Sequence, residues 1–147
     1  MICCGFGHRD YFKNIEPELD AVIESLISEG TDTFYTGGMG DFDSKFSSAV
    51  RKAKRQHKEI RLILVKPYFS NELNTNKEYY SLSYDDVVIP FEIAGTHYKA
   101  AIQKRNRWMV EQSAIVISGV YREYGGAYET IKYAKKTGKR IIELIKK

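Results

Sequence analysis

Cysteine is scarce: two residues in a chain of 147, and the two are neighbours, Cys3 and Cys4. In the short, β-prone stretch Ile2 to Phe6 adjacent side chains point to opposite faces, which argues against a mutual disulfide and fits reduced, intracellular thiols. Cys3, Cys4, His8, His57 and His97 show no zinc spacing, so no metal site is expected. No apolar run approaches the roughly 20 residues a membrane helix needs. The opening MICCGFGHRDYF lacks a basic segment leading into an apolar one, so a signal peptide is not expected either. A cytoplasmic location without a membrane partner follows as the expectation. GxGxxG, GxxxxGK[ST] and GxSxG are all missing, as is a Cys/His nucleophile pair. Standard dinucleotide, Walker-type and nucleophile-elbow readings therefore lack support, and no cofactor is called for.

What is present is a globular composition, with 43% hydrophobic and 29% charged residues, enough for one well-buried domain over 1–147. Short apolar runs alternate with amphipathic ones. Ile2–Phe6, Thr33–Thr36, Ile60–Val65, Ala114–Ser118 and Arg140–Ile145 are predicted strands, and Val87–Pro90 is a candidate for a short extra one. Ile15, Leu19, Val22, Ile23, Leu26 and Ile27 follow the helical period, with Asn14 as a candidate N-cap and Gly30 past the end. Phe42, Phe46, Val50 and Ala53 line a second helix, with Asp41 or Asp43 as its cap. A third runs from about Thr96 to Gln112, and a fourth from about Ala127 to Lys136. The polar stretch Tyr68–Asp86 has no clear period and is predicted as a long loop with one helical turn at most. Strands that are apolar on both faces and alternate with helices indicate a parallel sheet covered on each side.

In such sheets ligands bind at the carboxyl ends of strands, near a topological switch point. Here those ends are rich in glycine and polar residues: Gly5–Arg9, Thr36–Asp43 and Gly119–Gly126. Gly125 and Gly126 stand where a loop becomes a helix, so the backbone there can approach and donate N–H groups to a phosphate. An ordinary strand–helix turn would look the same. Arg105 and Arg107, two apart late in a helix, point in different directions, so one of them faces the site with a guanidinium fork for phosphate. Asn106 between them suggests a hydrogen-bonding duty. His8 or Arg9 meets an anion or a ribose, or His8 is a structural hydrogen-bonder. Glu129 accepts from a ribose hydroxyl, acts as an acid or base, or is simply solvated in a favourable first turn. Tyr121 and Tyr124 are candidates for base stacking. The stretch Lys45–Lys58, with Lys45, Arg51, Lys52, Lys54, Arg55 and Lys58, is either a solvated helix face or a nucleic-acid footprint.

The segments GFGHR (Gly5–Arg9), YTGGMGDFD (Tyr35–Asp43), RNRWMVEQSAIVIS (Arg105–Ser118) and YGGAYETIKYAKKTGK (Tyr124–Lys139), in that order, resemble the SLOG superfamily. This is the Rossmann-like group that includes the DprA/SMF and LOG proteins, and the nearest branch is YpsA/YoqJ-like. The resemblance covers nearly the whole chain. It implies a Rossmann-like three-layer α/β/α fold with a mainly parallel five- to six-stranded sheet. It also implies a nucleotide or ADP-ribose-like ligand and a homo-oligomer; nucleic acid is not expected as a partner. The ligand-binding set it carries comprises Gly7, His8, Arg9, Gly37, Gly38, Gly40, Asp43, Arg105, Asn106, Gly119, Gly125, Gly126, Glu129 and Thr130. LOG enzymes hydrolyse the N-glycosidic bond of nucleoside 5′-monophosphates with an arginine in RKxxM and a glutamate in PGGxGTxxE. Aligned on Met109, that arginine is Arg105 and its lysine neighbour becomes Asn106. Aligned on Gly126, the glutamate position becomes Thr130, with Glu129 one residue early, about 100° around the helix. If the chain is a hydrolase, Arg105 and Glu129 are its catalytic pair.

Overall fold

The computed structural model describes residues 1–145. Six strands form one all-parallel sheet: β1 (Ile2–Phe6), β2 (Thr33–Thr36), β3 (Arg61–Val65), β4 (Asp86–Val88), β5 (Ile115–Ser118) and β6 (Arg140–Glu143). Their spatial order is β4-β3-β2-β1-β5-β6. The chain winds outward from β1 in one direction through β4, then restarts on the other side of β1 with β5. The order thus reverses between β1 and β5, and the loops leaving those two strands diverge to open a crevice.

The strands alternate side chains between two covered faces. Cys3, Phe34, Leu62, Ile115 and Ile117 pack with α1 (Glu16–Ser28) and α2 (Asp41–Lys54) through Leu19, Ile23, Leu26, Phe42, Phe46 and Val50. On the opposite face Cys4, Val65 and Val116 meet α5 (Tyr98–Gln112) and α6 (Gly126–Lys136) through Met109, Val110, Ile131 and Ala134. The result is the three-layer, Rossmann-like α/β/α arrangement. Cys3 and Cys4 lie on opposite sides of the sheet, both buried and both free.

Several local expectations give way to tertiary detail. The stretch after β3 is not one loop: it folds into two short helices, α3 (Glu72–Thr75) and α4 (Lys77–Ser83), with no buried residue in either. Helices this short are too brief for a hydrophobic period to register. β4 starts at Asp86 because the Asp85 carboxylate accepts the Leu62 N–H at 2.7 Å, drawing the chain alongside β3. It stops before Pro90, which has no N–H to give to a ladder. β6 ends at Glu143, two residues short of the expected Ile145, and α5 begins at Tyr98. Asn14 does not occupy the N-cap of α1; Ile15 does, and Asn14 Oδ1 accepts only the Glu16 N–H at 3.4 Å. For α2 the cap is Gly40, at φ 96°, while Asp43 reaches back to accept the Met39 N–H at 2.9 Å, in the manner of the second half of a capping box.

Phe42 has a particular place. Its ring is fully buried over the ends of β1 and β5. A Cβ at Gly7 would lie 2.3 Å from its Cγ, and one at Gly119 would lie 2.4 Å from its Cε2. Both distances are far inside van der Waals contact, so these two glycines leave room for the ring.

Candidate functional site

At the carboxyl ends of β1, β2 and β5 lies an open cleft of about 320 Å³. The loop after β1 contributes Gly7, His8, Arg9 and Asp10; the loop after β2 contributes Gly37, Met39 and, at its helix, Asp43. α5 supplies Ile102, Arg105 and Asn106, and the loop into α6 supplies Arg122, Tyr124, Gly125, Gly126 and Ala127.

Arg105 is the centre of this cleft. Although only 2% exposed, it has no carboxylate within ion-pair distance among the described residues. Its Nε donates to Asn106 Oδ1 at 2.8 Å, and one terminal nitrogen donates to the carbonyls of Val65 (2.8 Å) and Gly37 (3.2 Å). The other terminal nitrogen meets only the Met39 thioether, at 3.2 Å. A thioether is a weak acceptor, and that nitrogen carries two of the five guanidinium hydrogens. Burial pulls the Arg105 pKa down to about 10, so the side chain stays cationic at neutral pH. Gly37 permits this placement, since a Cβ there would sit 3.0 Å from the guanidinium carbon.

A polar relay ties the arginine to the start of α6. Asn106 accepts from Arg105 and donates to Thr130 Oγ1 at 3.3 Å; Thr130 in turn donates to the Gly126 carbonyl at 2.8 Å. α6 begins at Gly126 after Gly125 (φ 98°) with no side-chain cap. The first-turn amides of a helix have no intrahelical acceptor, and here they accompany the positive end of the helix dipole. Apart from the adjoining residues and the helix's own backbone, no atom lies within 4 Å of a Cβ built on Gly125 or Gly126.

The other expected site residues divide sharply. Glu129 points away from the cleft: its side chain is 55% exposed and its carboxylate lies 3.9 Å from Lys132 one turn on. One residue of helix rotation separates it from the inward-facing Thr130. Thr130 is buried behind the cleft and serves the relay. Gly7 lines the cleft, but it and Gly119 make space for Phe42; Gly40 sits where a Cβ would collide with the Arg9 backbone at 2.6 Å. Gly38, at φ 65°, faces a neighbouring cleft instead. His8 presents its ring inward as a loop staple: Nε2 accepts the N–H groups of Tyr121 and Arg122, both at 3.1 Å. Burial lowers its pKa, in keeping with the neutral ring those two bonds require. Tyr121 packs edge-on against His8 and Tyr11, leaving Tyr124 as the loop tyrosine that borders the cleft. Arg107 lies over the Tyr133 ring, away from Arg105. Arg9 is exposed, without an ion pair among the described residues, and Arg122 is held by Asp10 at 2.7 Å and by the Tyr121 hydroxyl. Arg122 and Met39 are cleft residues without an individual expectation, although each lies inside a glycine-bearing loop named above, Arg122 in Gly119–Gly126 and Met39 in Thr36–Asp43.

Asp43 is the second buried charge. Burial raises its carboxyl pKa from 3.8 to about 6, against the lowering effect of the Met39 N–H, Arg105 and Arg9. In the unfolded chain it ionises near 3.8, so between there and about 6 the folded state holds the extra proton. Stability from this group therefore falls as pH rises across that window, by on the order of 3 kcal/mol. Asp43→Asn, which can still accept from Met39, should match the wild type at pH 4 and exceed it above pH 6. Urea unfolding of both proteins from pH 4 to 7.5 measures this; identical pH slopes would contradict it.

Of the basic residues in 45–58, Lys52 pairs with Asp20 (2.6 Å) and Glu16, Lys54 pairs with Asp85, and Arg51 donates to the Ser83 carbonyl (2.8 Å) while lying over Tyr84. Half of that basic stretch is thus engaged within the chain. Among the described residues no group of three or more His, Cys, Asp or Glu side chains is placed to hold a metal ion, and no helix is long and apolar enough to cross a membrane.

This topology and cleft define a Rossmann-like domain with the features of a ligand-binding protein. No protein-family model matches the chain. A curated relative, the uncharacterised SPbeta prophage-derived protein YoqJ of Bacillus subtilis (strain 168), is 27% identical over 139 residues, covering 84% of this chain and 81% of YoqJ. Among solved structures, DNA processing protein A of Helicobacter pylori, described for its single-stranded DNA binding mode, superposes with a TM-score of 0.68 at 17% identity, over 100% of this chain and 66% of that one. Its counterpart from Streptococcus pneumoniae gives 0.67 at 17%, over 96% of this chain and 49% of that protein. The molybdenum cofactor carrier protein of Chlamydomonas reinhardtii gives 0.59 at 16%, over 97% and 74%. Together these findings bear out the resemblance to the SLOG superfamily and its YpsA/YoqJ-like branch: the chain is similar to YoqJ in sequence and shares the fold of the DNA processing proteins. The chain spans about two thirds of one DNA processing protein and half of the other. The comparisons also correct one expectation, that nucleic acid is not a partner: the Helicobacter pylori protein that shares this fold is described for single-stranded DNA binding.

Proposed function

We propose that the cleft binds a nucleotide or nucleotide-derived ligand through its phosphate. The observation that carries this is the buried Arg105 guanidinium, without a carboxylate counter-charge in contact, opening into the same cleft as the uncapped start of α6. A cation taken out of water is costly unless paired. A phosphate would supply the pair, displacing the Met39 sulfur from the free end of the fork and accepting from the amides after Gly125. Arg9 and Arg122 at the rim add positive potential. Hydrolysis of the glycosidic bond finds no such support, because the carboxylate it would use, Glu129, lies outside the cleft.

Thermal-shift screening against nucleoside mono- and diphosphates and ADP-ribose is the direct test, since a ligand that prefers the folded state raises Tm. No shift with any of them at millimolar concentration would sink the proposal. Gly126→Ala separates binding from folding. Gly126 has no positive φ and open space at its Cβ position, and alanine is the better helix former by up to about 1 kcal/mol. Tm without ligand should hold or rise slightly while the ligand-induced shift shrinks, because the new methyl stands where the phosphate must approach. An undiminished shift would remove the α6 amides from the site.

A second reading, favoured by the fold shared with a single-stranded DNA binder, is that the phosphate belongs to a strand rather than a free nucleotide. Gel shifts with single-stranded oligonucleotides at rising salt test it, with affinity expected to fall steeply as salt rises.

A further inference from the structure

Beside the anion cleft, beyond the carboxyl ends of β2 and β3, lies a second hollow of about 140 Å³. Gly37 and Met39 line both cavities, so the two are separated by little more than that turn. The character of the second is different. Its walls are Leu64, Pro67 and four tyrosines, Tyr68, Tyr79, Tyr80 and Tyr84, with Lys66 and Glu72 among them.

Three observations distinguish this hollow from an ordinary wrinkle in the surface. Among the described residues nine large hydrophobic side chains remain exposed, and two of them, Tyr68 and Tyr79, line this hollow, with the exposed Phe69 next to Tyr68 in the chain. Scattered apolar side chains on a surface need no account, whereas a cluster around a concavity does. The rings also differ in exposure. Tyr80 and Tyr84 are stacked, centroids 6.4 Å apart, with Tyr80 bonded to Glu72 and Tyr84 under Arg51, while Tyr68 and Tyr79 stand at the lip, exposed. Tyr79 meets Tyr80 edge-on at 5.2 Å, so the braced rings form a floor, and the exposed parts of Tyr68 and Tyr79 form its rim. Finally, the hollow adjoins the site: Gly37, whose carbonyl accepts from the Arg105 guanidinium, and Met39, whose sulfur meets it, line both cavities. Gly38 lines the hollow as well, and a Cβ there would strike Leu64 at 2.5 Å.

We propose that this tyrosine-lined hollow is a base subsite. A ligand whose phosphate sits at Arg105 would pass its sugar over Met39 and lay a nucleobase against Tyr68 and Tyr79. Flat apolar faces with hydroxyl tips suit a planar ring with polar edges better than they suit a sugar or an aliphatic chain. The inference rests on the phosphate reading above and deepens it by naming what lies at the other end of the ligand.

Calorimetric titration with ribose 5-phosphate and with the four common nucleoside 5′-monophosphates tests the two ends separately. At least one mononucleotide should bind roughly tenfold to hundredfold more tightly than ribose 5-phosphate, as base–aromatic stacking allows. Tyr79→Ala, at an exposed position on α4, should bring that mononucleotide down toward ribose 5-phosphate while leaving ribose 5-phosphate unchanged; Tyr79→Phe should retain most of the difference. Ribose 5-phosphate binding as tightly as every mononucleotide overturns the base subsite alone and leaves the phosphate site standing. So does a Tyr79→Ala protein that weakens both ligands equally. Absence of binding by ribose 5-phosphate and all mononucleotides overturns both.

Discussion

Arg105→Met should weaken phosphate-bearing ligands by roughly tenfold to hundredfold, the cost of removing a hydrogen-bond partner that carries a charge, about 1.5–3 kcal/mol. Its effect on folding should be much smaller than its burial suggests. Four acceptors touch the guanidinium, and none is a carboxylate. Methionine leaves the Gly37 and Val65 carbonyls without that donor, which destabilises, but it also removes a charge whose desolvation costs several kcal/mol. These opposing terms are of similar size, and methionine fills most of the same volume. Arg105→Lys should fall between: an ammonium keeps the charge but cannot address both carbonyls and a ligand from one planar fork. Isothermal titration together with Tm for the three proteins checks the pattern. A methionine variant that binds like the wild type would remove the cation from the site.

Gly7→Ala should produce the largest loss of stability, at least about 3 kcal/mol, near the upper end of ordinary overpacking costs. One methyl group is the whole change. It would arrive 2.3 Å from Phe42 Cγ, and the ring has little room to retreat: a Cβ at Gly5, on its opposite edge, would already lie 3.4 Å from Cε1, and Tyr11 and Phe46 flank it. Against a typical domain stability of about 5–15 kcal/mol, this lowers Tm by roughly 6–12 °C. Phe42→Leu in the same chain should recover part of the loss by vacating the space. Thermal denaturation followed by circular dichroism reads both; an unchanged Tm in Gly7→Ala would mean that the ring is not held where it is described.

The pair of predictions marks the limit of what the residues alone disclosed. Glycine at the end of β1 was legible as a site of close approach, but what approaches at Gly7 is a phenylalanine from α2, 35 residues later. A sequence shows that a Cβ is missing without showing which group occupies its space. The alternation of strands and helices, the divergence of Arg105 and Arg107 and the glycine pair ahead of α6 could be read because each depends on local periodicity or backbone chemistry; which arginine turns inward came from the resemblance. The Asn106–Thr130 contact could not, since its partners lie 24 residues apart on different helices. Glu129 shows the cost of a single position: the same helix turn that brings Thr130 inward carries the carboxylate out. Where one helical turn was expected within 68–86 there are two short helices, too brief for a period to show, and only their packing gathers the tyrosines of that stretch into one hollow.

The relay from Arg105 through Asn106 and Thr130 to Gly126 has a kinetic side. Its side chains are already confined before any ligand arrives, so their rotational freedom is surrendered when the chain folds and not when the complex forms. A newcomer finds the fork aimed and the helix end fixed, and encounter can proceed without waiting for either to reorganise.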